Sequence, residues 1–114
     1  LVALGLLKGS VASLIKRNAY RDFYMHRVGH WLGLDVHDVG DYRVGDEWRV
    51  LEPGMVMTVE PGLYIAPSNT SVAKKWRGIG IRIEDDVVVT VDGCDVITAG
   101  VPKTVEEIEA LMAA

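Results

Sequence analysis

His26, His30 and His37 are the only histidines of this chain, and all three fall in the stretch Met-His-Arg-Val-Gly-His-Trp-Leu-Gly-Leu-Asp-Val-His-Asp-Val-Gly, from Met25 to Gly40. Imidazole titrates near neutral pH and is the commonest nitrogen ligand for metals. Gly29, Gly33 and Gly40 interrupt the stretch, so it reads as a shaped loop rather than one regular helix or strand. Two acidic stretches follow, Thr58-Val59-Glu60-Pro61-Gly62 and Gly80-Ile81-Arg82-Ile83-Glu84-Asp85-Asp86. Glu60 sits among Val56, Met57, Val59 and Leu63, and Glu84 comes after Ile81 and Ile83, so partial burial of both carboxylates is expected. A buried carboxylate is costly unless it is paired or bound to a cation. One nitrogen and two carboxylates, carried on a glycine-rich loop and two strands, suit Mn, Fe, Co or Zn better than Ca or Mg. Arg82 and Glu84 are two apart and share a strand face, where the guanidinium is placed to orient a carboxylate or offset surplus negative charge.

Each residue also has a plainer reading. Glu60 alone could be a solvent-facing strand residue, and Glu84-Asp85-Asp86 an acidic turn. His26 could be a loop histidine with its hydrogen bonds satisfied, and His37-Asp38 a simple turn pair. Asp85 and Asp86 are expected in the turn, Trp31 and Leu32 in the core, and Met55 and Met57 in packing. The conjunction of imidazole and two carboxylates carries the metal reading, not any one of them.

The elements that must position these groups follow from local pattern. Leu1 to Leu7 reads as the end of a helix already under way, stopped at Lys8-Gly9. Ser10 caps a helix over Val11 to Asn18, with Val11, Leu14 and Ile15 on one face. Phe23 to Met25 is a short aromatic strand or bridge, and Asp41 to Trp48 is polar and turn-like. After the turn Leu51-Glu52-Pro53-Gly54 comes a strand from Met55 to Glu60. Its Val56, Thr58 and Glu60 share one face; the other face, Met55, Met57 and Val59, is wholly apolar and is expected to meet the core. Leu63 to Ile65 resumes the strand, and Ala66 to Lys75 is a polar surface loop. Gly80 to Ile83 is a strand, Glu84 to Asp86 leads to a turn, and Val87 to Val91 returns as its partner. Asp92-Gly93 signals a hairpin into a strand from Asp95 to Thr98. Thr104-Val105-Glu106-Glu107 is a capping box that opens a last helix reaching Met112. Helices, then strands, then a helix give an α+β fold.

At 114 residues the chain is one domain or less, yet long enough to bury about two-thirds of its unfolded surface. The net charge of −4 and the lack of a long basic run argue against a nucleic-acid surface; Lys74-Lys75-Trp76-Arg77 is too short to change that. No apolar run approaches the roughly 20 residues of a membrane span. The single cysteine, Cys94, excludes an internal disulfide and suits a reducing compartment. The opening Leu1-Val2-Ala3-Leu4 has no basic leader and no initiator Met, so the expected reading is a start within something longer rather than a signal peptide.

His30-Trp31-Leu32-Gly33-Leu34-Asp35-Val36-His37-Asp38, Thr58-Val59-Glu60-Pro61-Gly62-Leu63-Tyr64 and Gly78-Ile79-Gly80-Ile81-Arg82-Ile83-Glu84-Asp85-Asp86 resemble the C-terminal motifs of the Xaa-Pro aminopeptidase (aminopeptidase P) family. Its wider group is the pita-bread metallopeptidases, with prolidase and methionine aminopeptidase. The likeness runs over essentially the whole chain. It implies that residues 1–114 are the C-terminal part of a catalytic domain, roughly the second half of a pita-bread fold with helices on a curved antiparallel sheet. It implies two metal ions, usually manganese, held by two Asp, one His and two Glu. Carried over residue by residue, His30 matches the histidine ligand. Glu60 matches the first glutamate, also credited with proton transfer, and Glu84 the glutamate that bridges both ions. His37 matches a histidine that touches substrate near the scissile bond, His26 one that lines the proline-side pocket, and Arg82 an arginine behind the ligands. The two Asp ligands have no counterpart, since Asp22, Asp35 and Asp38 fall at other positions. The chain by itself is therefore expected to be inactive, or to bind at most one divalent metal weakly. The implied activity is removal of the N-terminal residue from Xaa-Pro peptides, with no nucleic-acid or membrane partner. A prolidase-type dipeptidase, a non-catalytic module serving packing or interaction, and a self-associating homo-oligomer stay open.

Overall fold

A computed structural model describes residues 1–113. In chain order its helices are α1 (Val11–Lys16) and α2 (Val105–Met112), with 3-10 turns at Ala19–Asp22 and Lys74–Trp76. Its strands are β1 (Arg43–Val44), β2 (Glu47–Trp48), β3 (Val56–Val59), β4 (Gly62–Tyr64), β5 (Gly80–Arg82), β6 (Asp85–Val89) and β7 (Cys94–Val96). The chain divides into two compact units. Among the described residues no helix is long and apolar enough to cross a membrane.

The first unit joins Leu1–Arg27 to Gly62–Arg82. Ser10 caps α1 as expected, its hydroxyl accepting from the Ser13 N–H at 3.3 Å. The helix ends two residues earlier than the periodicity suggests, because Asn18 turns into the left-handed region at φ 55°. Leu14 is buried, but Val11 and Ile15 are exposed, so only part of the apolar face is covered. Leu1 to Leu7 is not a helix but a run of turns; Gly5, at φ 71°, takes a conformation no helix contains. Phe23 to Met25 is not a strand either. Phe23 closes the first 3-10 turn and buries its ring with Leu6, Ile65 and Val72, while its carbonyl accepts from the Tyr64 N–H at 2.8 Å. The expected polar loop over Ala66 to Lys75 therefore hides one core residue, Val72. β4 and β5 pair antiparallel, with Leu63 opposite Ile81.

The second unit joins Val28–Pro61 to the chain from Ile83 onward. Its main sheet has the order β3-β6-β7, antiparallel throughout. The Asp92-Gly93 hairpin forms as read, linking β6 to β7 with Val89 opposite Cys94. The capping box of α2 is complete: Thr104 accepts from the Glu107 N–H, and the Glu107 carboxylate accepts from the Thr104 N–H. Arg43–Val44 and Glu47–Trp48 form a small hairpin through Gly45, at φ 61°, where the pattern read only a turn. Strands of two residues are too short to show alternation.

Three expectations about these strands are overturned. Glu84-Asp85-Asp86 is not a turn, and the Gly80 strand does not pair with the Val87 strand. β5 pairs with β4, and β6 begins already at Asp85 and pairs with β3. Extended backbone at Asp85 and Asp86 is held by residues that follow β7 in the chain. The Thr98 hydroxyl accepts from the Asp86 N–H at 3.1 Å and donates to Asp85 Oδ1 at 2.5 Å, and Lys103 Nζ reaches the same oxygen at 3.0 Å. The faces of β3 are also reversed. Thr58 and Glu60 are buried, at 2% and 9% exposure, whereas Val59 is 39% exposed. The polar face goes inward because its polar groups find partners there, which removes the usual cost of burying them.

Candidate metal centre

The site is built on three neighbouring lengths of backbone in the second unit. β3 is the middle one. Along one edge the segment from Val28 to Leu32 runs antiparallel to it. The Glu60 N–H donates to Val28 O at 2.7 Å, the Thr58 N–H to His30 O at 2.9 Å, and the Leu32 N–H to Val56 O at 3.1 Å. Trp31 bridges to Met57 in the same register. His30 is thus opposite Thr58, and Glu60 is its diagonal neighbour, within reach of a long side chain. Along the other edge, β6 pairs Val59 with Asp85. One step further, the register brings Glu60 opposite Glu84. Three donor side chains therefore reach one place because they stand on adjacent extended segments.

Gly29 makes the close approach possible. A Cβ there would lie 2.1 Å from the Thr58 carbonyl oxygen, a backbone atom that cannot move aside. Gly33 has a similar role one turn later, where Asp38 Oδ2 occupies the space a Cβ would need. The Asp38 N–H donates to Trp31 O at 3.1 Å, which folds the loop back and sets the His37 ring 4.4 Å from the His30 ring, edge to face.

The ligand atoms of His30, Glu60 and Glu84 all lie within 4.8 Å of one another. His30 Nδ1 is 2.9 Å from the Trp31 carbonyl. A carbonyl only accepts, so Nδ1 carries the hydrogen and the neutral ring turns the Nε2 lone pair the other way. That Nε2 faces Glu60 Oε1 at 3.5 Å. Two acceptors pointed at one another, with a second carboxylate close by, call for a proton or a cation between them. The tautomer, the mixed nitrogen and oxygen donors and the half-buried setting fit a divalent transition metal. His30 and Glu60 side chains are 17% and 11% exposed, while Glu84 is exposed.

The site residues expected from the sequence divide between the units. His30, Glu60, Glu84 and His37 come together in the second. His26 and Arg82 belong to the first. There His26 Nδ1 donates to the Arg27 carbonyl at 2.7 Å, which leaves Nε2 to accept from the Tyr64 hydroxyl at 2.8 Å. Arg82 lies on β5, its backbone opposite Gly62. Thr58 and Tyr64 touch these histidines and were not singled out by residue type, although Thr58 was on the same strand face as Glu60.

A family model for metallopeptidase family M24 matches residues 2–91. The solved structure of Pseudomonas aeruginosa aminopeptidase PepP is 78% identical, covers 99% of this chain and aligns with a TM-score of 0.96. The Xaa-Pro aminopeptidase of Escherichia coli (strain K12) is 63% identical over the whole chain. A solved aminopeptidase P from that species, with the inhibitor Pro-Leu, aligns at a TM-score of 0.90. Human Xaa-Pro dipeptidase is 42% identical over 99% of the chain. The chain spans about a quarter of the length of each, from 25% to 28%. Its antiparallel sheets and few helices are those of a part of the pita-bread fold, and with a family match that takes in all three donor residues, the chain belongs to metallopeptidase family M24.

Proposed function

We propose that this chain supplies the His30, Glu60 and Glu84 side of the metal centre in a cytoplasmic, manganese-dependent Xaa-Pro aminopeptidase. The observation that carries the reading is the meeting of an imidazole lone pair and two carboxylates within 4.8 Å. The identity to Escherichia coli Xaa-Pro aminopeptidase supports the substrate class, a peptide with proline in second place. A divalent metal, when bound, supplies Lewis-acid polarisation of the peptide carbonyl and charge to offset the carboxylates. The chain's own groups do the rest. His30 and Glu60 hold donors toward the metal, Glu60 also exchanges a proton with the reacting centre, and Glu84 closes the donor set. His37, exposed beside His30, is available to contact the peptide near the bond that breaks. His26, its Nε2 fixed by Tyr64, lines the proline side, and Arg82 supports the ligands. No Asp of this chain fills the two aspartate positions, so one weakly held metal is the most these residues bind alone; two belong to the complete centre.

The test is release of the N-terminal residue from an Xaa-Pro-Xaa tripeptide by the full-length protein with manganese, compared with Glu84→Ala. Release lost in the variant supports the reading. Cleavage restricted to Xaa-Pro dipeptides favours the second reading, a dipeptidase, for which the 42% identity to human Xaa-Pro dipeptidase speaks. No cleavage of either, with metal binding unaffected by His30→Ala, would leave a non-catalytic packing or interaction module. Sedimentation of the same protein decides whether it forms a homo-oligomer.

A further inference from the structure

Thr58 is one of the two largest fully buried side chains among the described residues, at 2% exposure, and it sits in the middle of β3 between two proposed metal ligands. Its hydroxyl oxygen accepts from the His30 N–H at 3.1 Å. Its single hydroxyl hydrogen is directed to Glu60 Oε1 at 3.4 Å, since a carboxylate only accepts. Glu60 Oε1 is the same oxygen that faces His30 Nε2. One hydroxyl therefore touches the backbone of the first ligand and the ligand oxygen of the second. Its backbone N–H also bonds the His30 carbonyl, so His30 is held to Thr58 at both its amide and its carbonyl.

We infer that Thr58 is a positioning residue for the metal centre: its hydroxyl sets the rotation of the Glu60 carboxylate and pins the His30 segment, so that Oε1 and Nε2 converge. The inference rests on the proposed metal centre. A β-branched residue is stiff about its first side-chain torsion, which restricts the directions its hydroxyl can take. Valine keeps that shape and removes both hydrogen bonds, and serine keeps the hydroxyl with less packing. Groups that orient ligands in this way change metal affinity by about 10- to 100-fold when removed.

The experiment uses the full-length protein in wild-type, Thr58→Val, Thr58→Ser and His30→Ala forms. It measures Mn2+ affinity by calorimetry and the ligand-field absorption of bound Co2+. Thr58→Val is expected to weaken Mn2+ binding by about 10- to 100-fold and to shift the Co2+ bands, with Thr58→Ser close to wild type on both. A merely structural role would lower the melting temperature of the metal-free protein without moving the bands. Should Thr58→Val not fold, Thr58→Ala carries the same expectations, with serine again the rescue. Wild-type affinity and bands in Thr58→Val, or a serine variant as weak as valine, overturns the inference. If His30→Ala still binds Mn2+ as the wild type does, the metal centre itself is wrong and the inference falls with it. If His30→Ala loses binding and Thr58→Val does not, only the role of Thr58 falls.

Discussion

Nε2 of His30 and Oε1 of Glu60 face each other at 3.5 Å, with the opposite ring nitrogen of His30 already committed to a backbone carbonyl. With Glu84 joining them, this is an arrangement that positive charge in its midst stabilises. Adding Mn2+ should therefore stabilise the full-length protein, by about 2.7 kcal/mol at a free concentration 100 times the dissociation constant. His30→Ala and Glu84→Ala should each abolish most of that gain. Thermal unfolding with metal and with chelator checks both; a metal-induced shift that persists in His30→Ala would contradict the site.

Gly29→Ala should be severe for a single methyl. The new Cβ would meet the Thr58 carbonyl at 2.1 Å, so either β3 or the histidine segment must move. Overpacking against fixed backbone costs about 1–3 kcal/mol, occasionally more. Because the displaced partners are His30 and Thr58, metal affinity should fall together with stability. Denaturant unfolding beside metal titration tests this, and a variant that loses neither would show that the approach is looser than it stands here.

The histidine loop and the two acidic stretches were legible because residue types alone mark them: imidazole among glycines, carboxylates among apolar side chains. The Ser10 cap, the Asp92-Gly93 hairpin and the Thr104 capping box were legible because each depends on contacts within four residues. What failed depended on distant partners. The burial of Thr58 and Glu60 is decided by His30, nearly thirty residues away, and an alternating strand cannot announce which face such a partner will cover. The partners of β5 and β6 were misread for the same reason. Asp85 and Asp86 look like a turn until Thr98 and Lys103 hold them extended.

Phe23→Ala should cost about 3–5 kcal/mol, the range for removing a large buried aromatic ring. The ring is 2% exposed and packs with Leu6, Ile65 and Val72, and the neighbouring carbonyl holds Tyr64, which in turn fixes His26. Loss of the ring should thus loosen His26 as well. Urea unfolding and the ring-proton spectrum of His26 read the two effects separately. A cost under 1 kcal/mol would mean that this cluster is not the core of its unit.

Glu107 gives α2 a pH dependence with a definite sign. Hydrogen bonds from the Thr104 and Lys103 backbone and the Thr104 hydroxyl hold its carboxyl below the usual carboxylate range. A carboxylate lowered by folding contributes stability above its unfolded value, and that contribution is lost as pH falls through the folded value. Amide protection at Lys103 and Thr104 should therefore be constant from pH 7 down to about 4.5 and fall below it. Glu107→Gln should flatten the profile. A profile unchanged by the substitution would remove the carboxylate from the account.

Thr98 and Lys103 meet Asp85 with unequal consequences. Thr98 does two jobs at the start of β6: it accepts from the Asp86 N–H and donates to Asp85 Oδ1, and this second bond does most to hold the Asp85 carboxyl below the usual carboxylate range. Lys103 adds an ion pair to the same oxygen, with both side chains 25% exposed, where water and salt screen it. Thr98→Val leaves an amide and a carboxylate each short of a partner, whereas Lys103→Met removes the screened pair and the Nζ bonds to the Thr98 and Val101 carbonyls, which are loop acceptors open to water. Thr98→Val should therefore lower the melting temperature more than Lys103→Met, and only the lysine variant should have part of its effect erased by high salt. Since Asp85 follows Glu84 directly, Thr98→Val should also loosen the third metal ligand and weaken Mn2+ binding, while Lys103→Met should not. Equal losses in both variants would mean that charge, rather than the paired hydrogen bonds of Thr98, holds the start of β6 in line with Glu60.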